Sequence, residues 1–192
     1  MTIREGAQRV RIYNSGHLVF LYDEANRTAI NEAAPEILYG FRGEADLNDE
    51  ALQKLANEGT LVIYELRQDD ELDVEIVLGE PLSVSELSVA RWKFPQQARL
   101  AMPSGKLCIE SYDSLLLGDD DPTDPGAVLD VPPGDYTLTL HRIAWGAMDR
   151  DDISDGYEGP YEIIMLTPAD EQSMSESLPA FLRFNIEDSD DR

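Results

Sequence analysis

Apolar and polar residues alternate in short runs along much of the chain, the period-2 pattern of strands half buried against a core. The clearest run is Tyr136-Thr-Leu-Thr-Leu-His141, and further β-prone runs fall at 106–111, 128–131, 161–166 and 181–186. Val10–Tyr22 reads as a hairpin, two strand-forming runs about Asn14-Ser15-Gly16, where Asn and Gly tolerate the positive φ of a tight turn. Thr60–Leu66 and Leu72–Leu78, joined by the polar residues 67–71, read as a second hairpin. Helical spacing is clear only over Asn48–Asn57, where Asn48 suits a cap, Leu52 and Leu55 share a face, and Gly59 stops the helix. The pattern predicts a mainly β protein, a sandwich or partly closed barrel with one short helix near residues 48–57.

Short similarities between the halves predict two related β units, about 8–85 and 97–186, within a single β-rich domain spanning 1–186. Ser15-Gly16-His-Leu18 is matched by Ser104-Gly105-Lys-Leu107, and Glu75-Ile-Val-Leu78 by Glu162-Ile-Ile-Met165. Gly59 with the strand ending at Arg67 is matched by Gly134 with the strand ending at Arg142. Residues 187–192 are expected to form an acidic disordered tail.

Length and composition change the picture little: 192 residues, 42% of them hydrophobic, suffice for a core without covalent staples. Cys108 is the only cysteine, which excludes an intramolecular disulfide and a thiolate metal cluster. No run has the length of a membrane span, and the start lacks a basic-then-apolar leader, so a cytoplasmic address is expected.

Charge changes it more. The formal net charge is −24, and residues 110–192 carry −17 of it, with 21 acids against four arginines. Such a field repels phosphate backbones and attracts cations or basic proteins. From Leu87 to Ile109 there is no acid, and Arg91, Lys93, Arg99 and Lys106 interleave with Trp92 and Phe94. Basic and aromatic residues together can hold single-stranded nucleic acid. The surrounding acidity opposes this, and internal neutralisation with Trp92 and Phe94 in the core is the favoured reading.

Val128-Leu-Asp-Val-Pro-Pro-Gly-Asp-Tyr-Thr-Leu-Thr-Leu140 sets a strand, Pro-Pro-Gly, and a Tyr opening the next strand in series. Over about residues 128–168 the chain resembles uncharacterised bacterial β-sandwich proteins and competence-associated nuclease inhibitors. The resemblance carries over no functional residue.

The chain has no nucleophile elbow, phosphate-binding glycine loop, dinucleotide turn or zinc-protease helix. His17 and His141 fall in separate strands and are too few for a three-histidine zinc site. Asp151, Asp155, Gly156 and Glu162 sit at positions 1, 5, 6 and 12 of a calcium loop, but Ile153 at position 3 brings no oxygen and no helices flank it. A looser calcium site on Asp151, Asp155 and Glu158 is the minority reading; a solvated acidic loop is favoured, and no cofactor is expected. The acidic residues Asp119, Asp120, Asp121, Asp124, Asp151, Asp152, Asp155 and Glu158 are expected to face a partner. Two functions are consistent with this sequence: a non-catalytic interaction module, inhibitor- or immunity-like, docking a basic protein; or a small-ligand binder or enzyme with a site assembled from distant residues. The first is favoured, with neither nucleic acid nor membrane as partner.

Overall fold

The computed structural model describes residues 6–14, 18–30, 32, 50–65, 70–79, 96–111, 126–142, 160, 162–170, 178 and 181–182. Ten strands are described: β1 (Gln8–Asn14), β2 (Leu18–Asp23), β3 (Leu61–Glu65), β4 (Asp70–Leu78), β5 (Gln96–Met102), β6 (Lys106–Ser111), β7 (Ala127–Asp130), β8 (Gly134–Arg142), β9 (Glu162–Pro168) and β10 (Phe181–Leu182). A 3-10 turn, Glu24–Asn26, runs into helical residues 27–30, and helix α1 covers Glu50–Asn57. The strands form two five-stranded sheets, ordered β1-β4-β9-β8-β5 and β10-β3-β2-β6-β7, as in a β-sandwich.

Alternation places one residue in two of each strand on the shared interior. Ile12, Val74, Ile164, Leu138 and Leu100 of the first sheet meet Val62, Tyr64, Val19, Leu21 and Ile109 of the second in one core. The second sheet also buries its outer face, where Leu18, Phe20, Tyr22, Ile30, Leu61 and Ile63 are inaccessible to solvent. Helix α1 ends as its sequence requires. Gly59 takes φ +73°, its N–H donates to the carbonyl of Ala56, and the N–H of Thr60 donates to that of Leu55, which satisfies the last carbonyls. The expected Asn48 cap lies outside the described residues.

Neither expected hairpin forms. β1 pairs with β4 while β2 pairs with β3 and β6, so the short link after β1 crosses from one sheet to the other. The link from β3 to β4 crosses back. Three or four residues can bridge the ~10 Å between stacked sheets, and alternation alone cannot distinguish this from pairing within one sheet.

The pairing pattern is two-fold. β1·β4 is mirrored by β5·β8, and β2·β3 by β6·β7, with β2 and β6 adjacent at the centre of their sheet. Counterparts match in length: seven residues in β1 and β5, six in β2 and β6, nine in β4 and β8. The correspondence expected from sequence needs correcting. β4 and β9, which carry Glu75-Ile-Val-Leu78 and Glu162-Ile-Ile-Met165, are parallel neighbours in one sheet, and the counterpart of β4 is β8. Both are interior strands with buried residues on each face, Val77 and Ile163 included, so both carry an uninterrupted apolar stretch, Ile76–Leu78 and Ile163–Leu166. Likewise β3, the strand after Gly59, corresponds to β7 rather than to β8, the strand of Gly134. Ser15-Gly16 lies outside the described residues, in the segment that links β1 to β2 as residues 103–105 link β5 to β6.

Candidate functional site

The two ends of the sandwich differ in what they bring together. At one, here the lower end, β2 finishes beside the β5–β6 turn. Asp23, fully buried, accepts hydrogen bonds from the backbone N–H groups of Ala25 (2.9 Å), Ser104 (3.0 Å), Gly105 (3.0 Å) and Lys106 (3.4 Å), and from Ser104 Oγ (2.6 Å). Gly105 takes φ +74°, and a Cβ there would stand 2.5 Å from the carbonyl oxygen of Val131. The Pro-Pro-Gly turn rests on it: the N–H of Val131 donates to Gly105 O, and Tyr136 Oη donates to Pro132 O four residues upstream. This corner explains Val131-Pro-Pro-Gly-Asp-Tyr136 as a structural device.

At the upper end β1, β3, β6 and β8 finish. Leu18 pairs with Glu65, Val19 with Ser111, Arg142 with Glu162, and Arg142 Nη2 donates to Glu65 O (3.0 Å) across the sheets. The segments 112–125 and 143–161 therefore both spring from this end. They contain all eight partner-facing acidic residues expected from the sequence, which lie outside the described residues together with the calcium candidate Asp151, Asp155 and Glu158. Trp92, Phe94, Arg91 and Lys93 lie outside them as well, as does His17.

Two Tyr–Glu–Arg clusters lie among the described residues, one on the outer face of the second sheet and one in the core at the upper end, and sequence reading missed both. In the first, Tyr22 Oη donates to Glu110 Oε2 (2.7 Å), and Arg27 Nη2 donates to Glu110 Oε1 (2.7 Å). Gly126 lies against this carboxylate's stem, where a Cβ would meet Glu110 Cγ. In the second, Arg142 and Glu162, 1% and 2% exposed, are held with Nε 2.9 Å from Oε1, and the guanidinium lies 6.0 Å from the centre of the Tyr64 ring. Phase in the strand was the available signal: Arg142 continues the core-facing series Tyr136, Leu138, Leu140, and Glu162 opens the series Ile164, Leu166. On the outer face of the first sheet, the buried Asp73 carboxylate takes Arg9 in a two-pronged bond (2.6 and 2.7 Å) and Arg11 at 3.0 Å.

Burial and neighbouring charges favour the protonated phenols and thiol in and beside these clusters. Burial raises the phenol pKa of Tyr22, and the Glu110 carboxylate raises it further; burial and Glu162 do the same to Tyr64. Burial also raises the Cys108 thiol, outweighing the opposing pull of Arg27, so it is not held as a nucleophilic thiolate. His141 is buried in β8. Among the described residues no group of three or more His, Cys, Asp or Glu could hold a metal ion, and no helix is long and apolar enough to cross a membrane.

The tyrosines set an alkaline limit. A phenol whose pKa is raised on folding keeps its full contribution below the unfolded value and loses it as pH rises above that value. Each of Tyr22 and Tyr64 should therefore remove about 1.4 kcal/mol of stability by pH 11, relative to an unfolded pKa near 10. Thermal unfolding followed from pH 8 to 11 should show this fall, and Tyr64→Phe should remove about half of it. A flat profile would show the phenols to be accessible.

No protein-family model matches the chain, and no curated protein matches it. Among solved structures, the chain is similar to a protein described as crocagin biosynthetic gene J, at 19% identity and a TM-score of 0.53 over 85% of this chain and 97% of that one. It is also similar to ComJ, inhibitor of the DNA degrading activity of NucA, from Bacillus subtilis, at 15% identity and a TM-score of 0.50 over 84% of this chain and 96% of that one. At these identities the likeness shows a shared fold. The resemblance to competence nuclease inhibitors read at residues 128–168 is borne out and extends over most of the chain.

Proposed function

We propose that the protein is a non-catalytic, inhibitor-like interaction module, acting in the cytoplasm, whose acidic upper end docks a basic protein. The observation that carries this is the common origin of segments 112–125 and 143–161 at one end of the sandwich. In a strictly alternating meander they would leave from opposite ends; the short return strand β7 brings both stems together. Together the two segments carry ten acids and one base. The fold shared with a nuclease inhibitor supports the reading, and a DNA-degrading enzyme is a fitting partner class. A groove built to hold phosphates presents cations that carboxylates can occupy.

The test is a four-fold charge removal, Asp119→Asn, Asp121→Asn, Asp151→Asn and Asp155→Asn. A partner recovered from the host at low salt and lost at high salt provides the binding assay. The variant should fold normally and associate about tenfold more slowly in low salt, with the difference shrinking as salt rises. Association at the wild-type rate in low salt would reject the acidic-end reading.

A further inference from the structure

Apart from β9, which lies between the two mirrored sets, the two-fold pairing pattern breaks at the edge of the second sheet. Beside β3, the segment Phe181–Leu182 adds a short parallel strand, Phe181 opposite Ile63 and Leu182 opposite Tyr64. Leu182 enters the core at the seam between β3 and β5, and Ile63 and Tyr64 are left 1% and 0% exposed. The counterpart of β3 is β7, whose Val128 and Leu129 stand where Ile63 and Tyr64 stand in β3. Among the described residues, β7 is the last strand of its sheet. Val128 is 47% exposed, and the core-facing Leu129 is only partly buried. Across this second seam, Val10 of β1 is also only partly covered. β1 and β7 meet at the lower end, where Gln8 Nε2 donates to Asp130 O. Val128 and Tyr13, on the two strands of this seam, are the exposed large hydrophobic residues among those described.

We infer that the edge of β7 at Val128 and Leu129, with which no described strand other than β6 pairs, receives a short extended segment of a partner protein, parallel to β7, with a bulky aliphatic side chain inserted beside Leu129. The inference rests on the reading of the chain as a protein-interaction module and adds a second, apolar contact to the acidic end. Strand addition supplies main-chain hydrogen bonds, and the inserted side chain supplies selectivity. The chain's own Phe181–Leu182 defines the chemistry that fits. A second copy is a poor occupant. Two β7 edges related by a two-fold axis would pair antiparallel, and each copy brings a net charge of −24.

The probe is a synthetic peptide of residues 178–185 (LPAFLRFN), added to the full chain and followed by amide chemical shifts. Saturable shifts at residues 127–130 and Val10 are expected. Val128→Lys, a change at an exposed site, should keep the melting temperature and weaken the peptide about tenfold. A peptide with Leu182→Asp should not bind. The inference is overturned if the peptide leaves residues 127–130 unmoved at millimolar concentration, if it shifts residues 61–65 instead, or if Val128→Lys binds it equally. It is also overturned if the β7 amides that do not bond β6 are already protected in the free protein, because a second copy (protection rising with concentration) or the chain itself then fills the edge. The four-fold Asp→Asn protein should bind the peptide as wild type does, so failure of this edge and failure of the acidic end are read separately.

Discussion

Glu162→Ala is expected to cost about 3–5 kcal/mol of folding free energy, because it removes the buried carboxylate paired with the buried Arg142 guanidinium. Desolvation has already been met for both members of this pair, which are almost wholly inaccessible. Removing one charge keeps the penalty of the other and deletes the attraction that offset it. Removing both should behave differently. Arg142→Met combined with Glu162→Leu should regain most of the loss, since apolar side chains of similar size carry no desolvation cost. Urea unfolding with an unchanged m-value is the measurement. A loss below about 1 kcal/mol for Glu162→Ala would mean that water reaches the pair.

Asp23→Ala should be nearly as damaging, at about 3 kcal/mol or more, since hydrogen bonds to a charged acceptor contribute about 1.5–3 kcal/mol each and several donors lose their partner together. The carboxylate serves Ser104, Gly105 and Lys106 at once, so its loss leaves N–H groups of the β5–β6 turn without an acceptor. Asp23→Asn keeps one acceptor oxygen and should cost roughly half as much. Ser104→Ala, which removes only the hydroxyl donor at Oγ, should cost least. If Asp23→Ala and Ser104→Ala prove equally mild in urea unfolding, the turn is held by its own geometry and not by this carboxylate.

The strands were legible where alternation coincided with strand-forming side chains, as in Tyr136–His141. β5 was missed although Ala98, Leu100 and Met102 alternate inward against Gln97 and Arg99. Gln, Ala, Arg and Met have weak strand preference, and pairing with β8 along the whole of β5 overrides it. Which sheet a strand joins was not legible, because a tight link serves a hairpin and a crossing equally well. The buried clusters were hidden for a different reason: a charged residue closing an apolar run reads as its boundary. Arg142 and Glu110 instead sit in phase with buried positions, and only the partner brought from elsewhere in the chain shows why they are tolerated.

The position of β9 shapes how the chain can assemble. It lies between β4 and β8, and it joins the two mirrored strand sets within the first sheet. During synthesis β1–β4 emerge first and can pair among themselves, Gln8 with Ile76, long before Glu162 arrives to pair with Val74. Until then the edge of β4 stands open, and its acids Asp70, Glu71, Asp73 and Glu75 discourage pairing with a second nascent chain. Closing the sheet late over such separations places folding in the millisecond-to-second range expected of β-sandwiches. The excess negative charge then keeps half-made chains apart during that interval, a service to biogenesis that ends once β9 is in place.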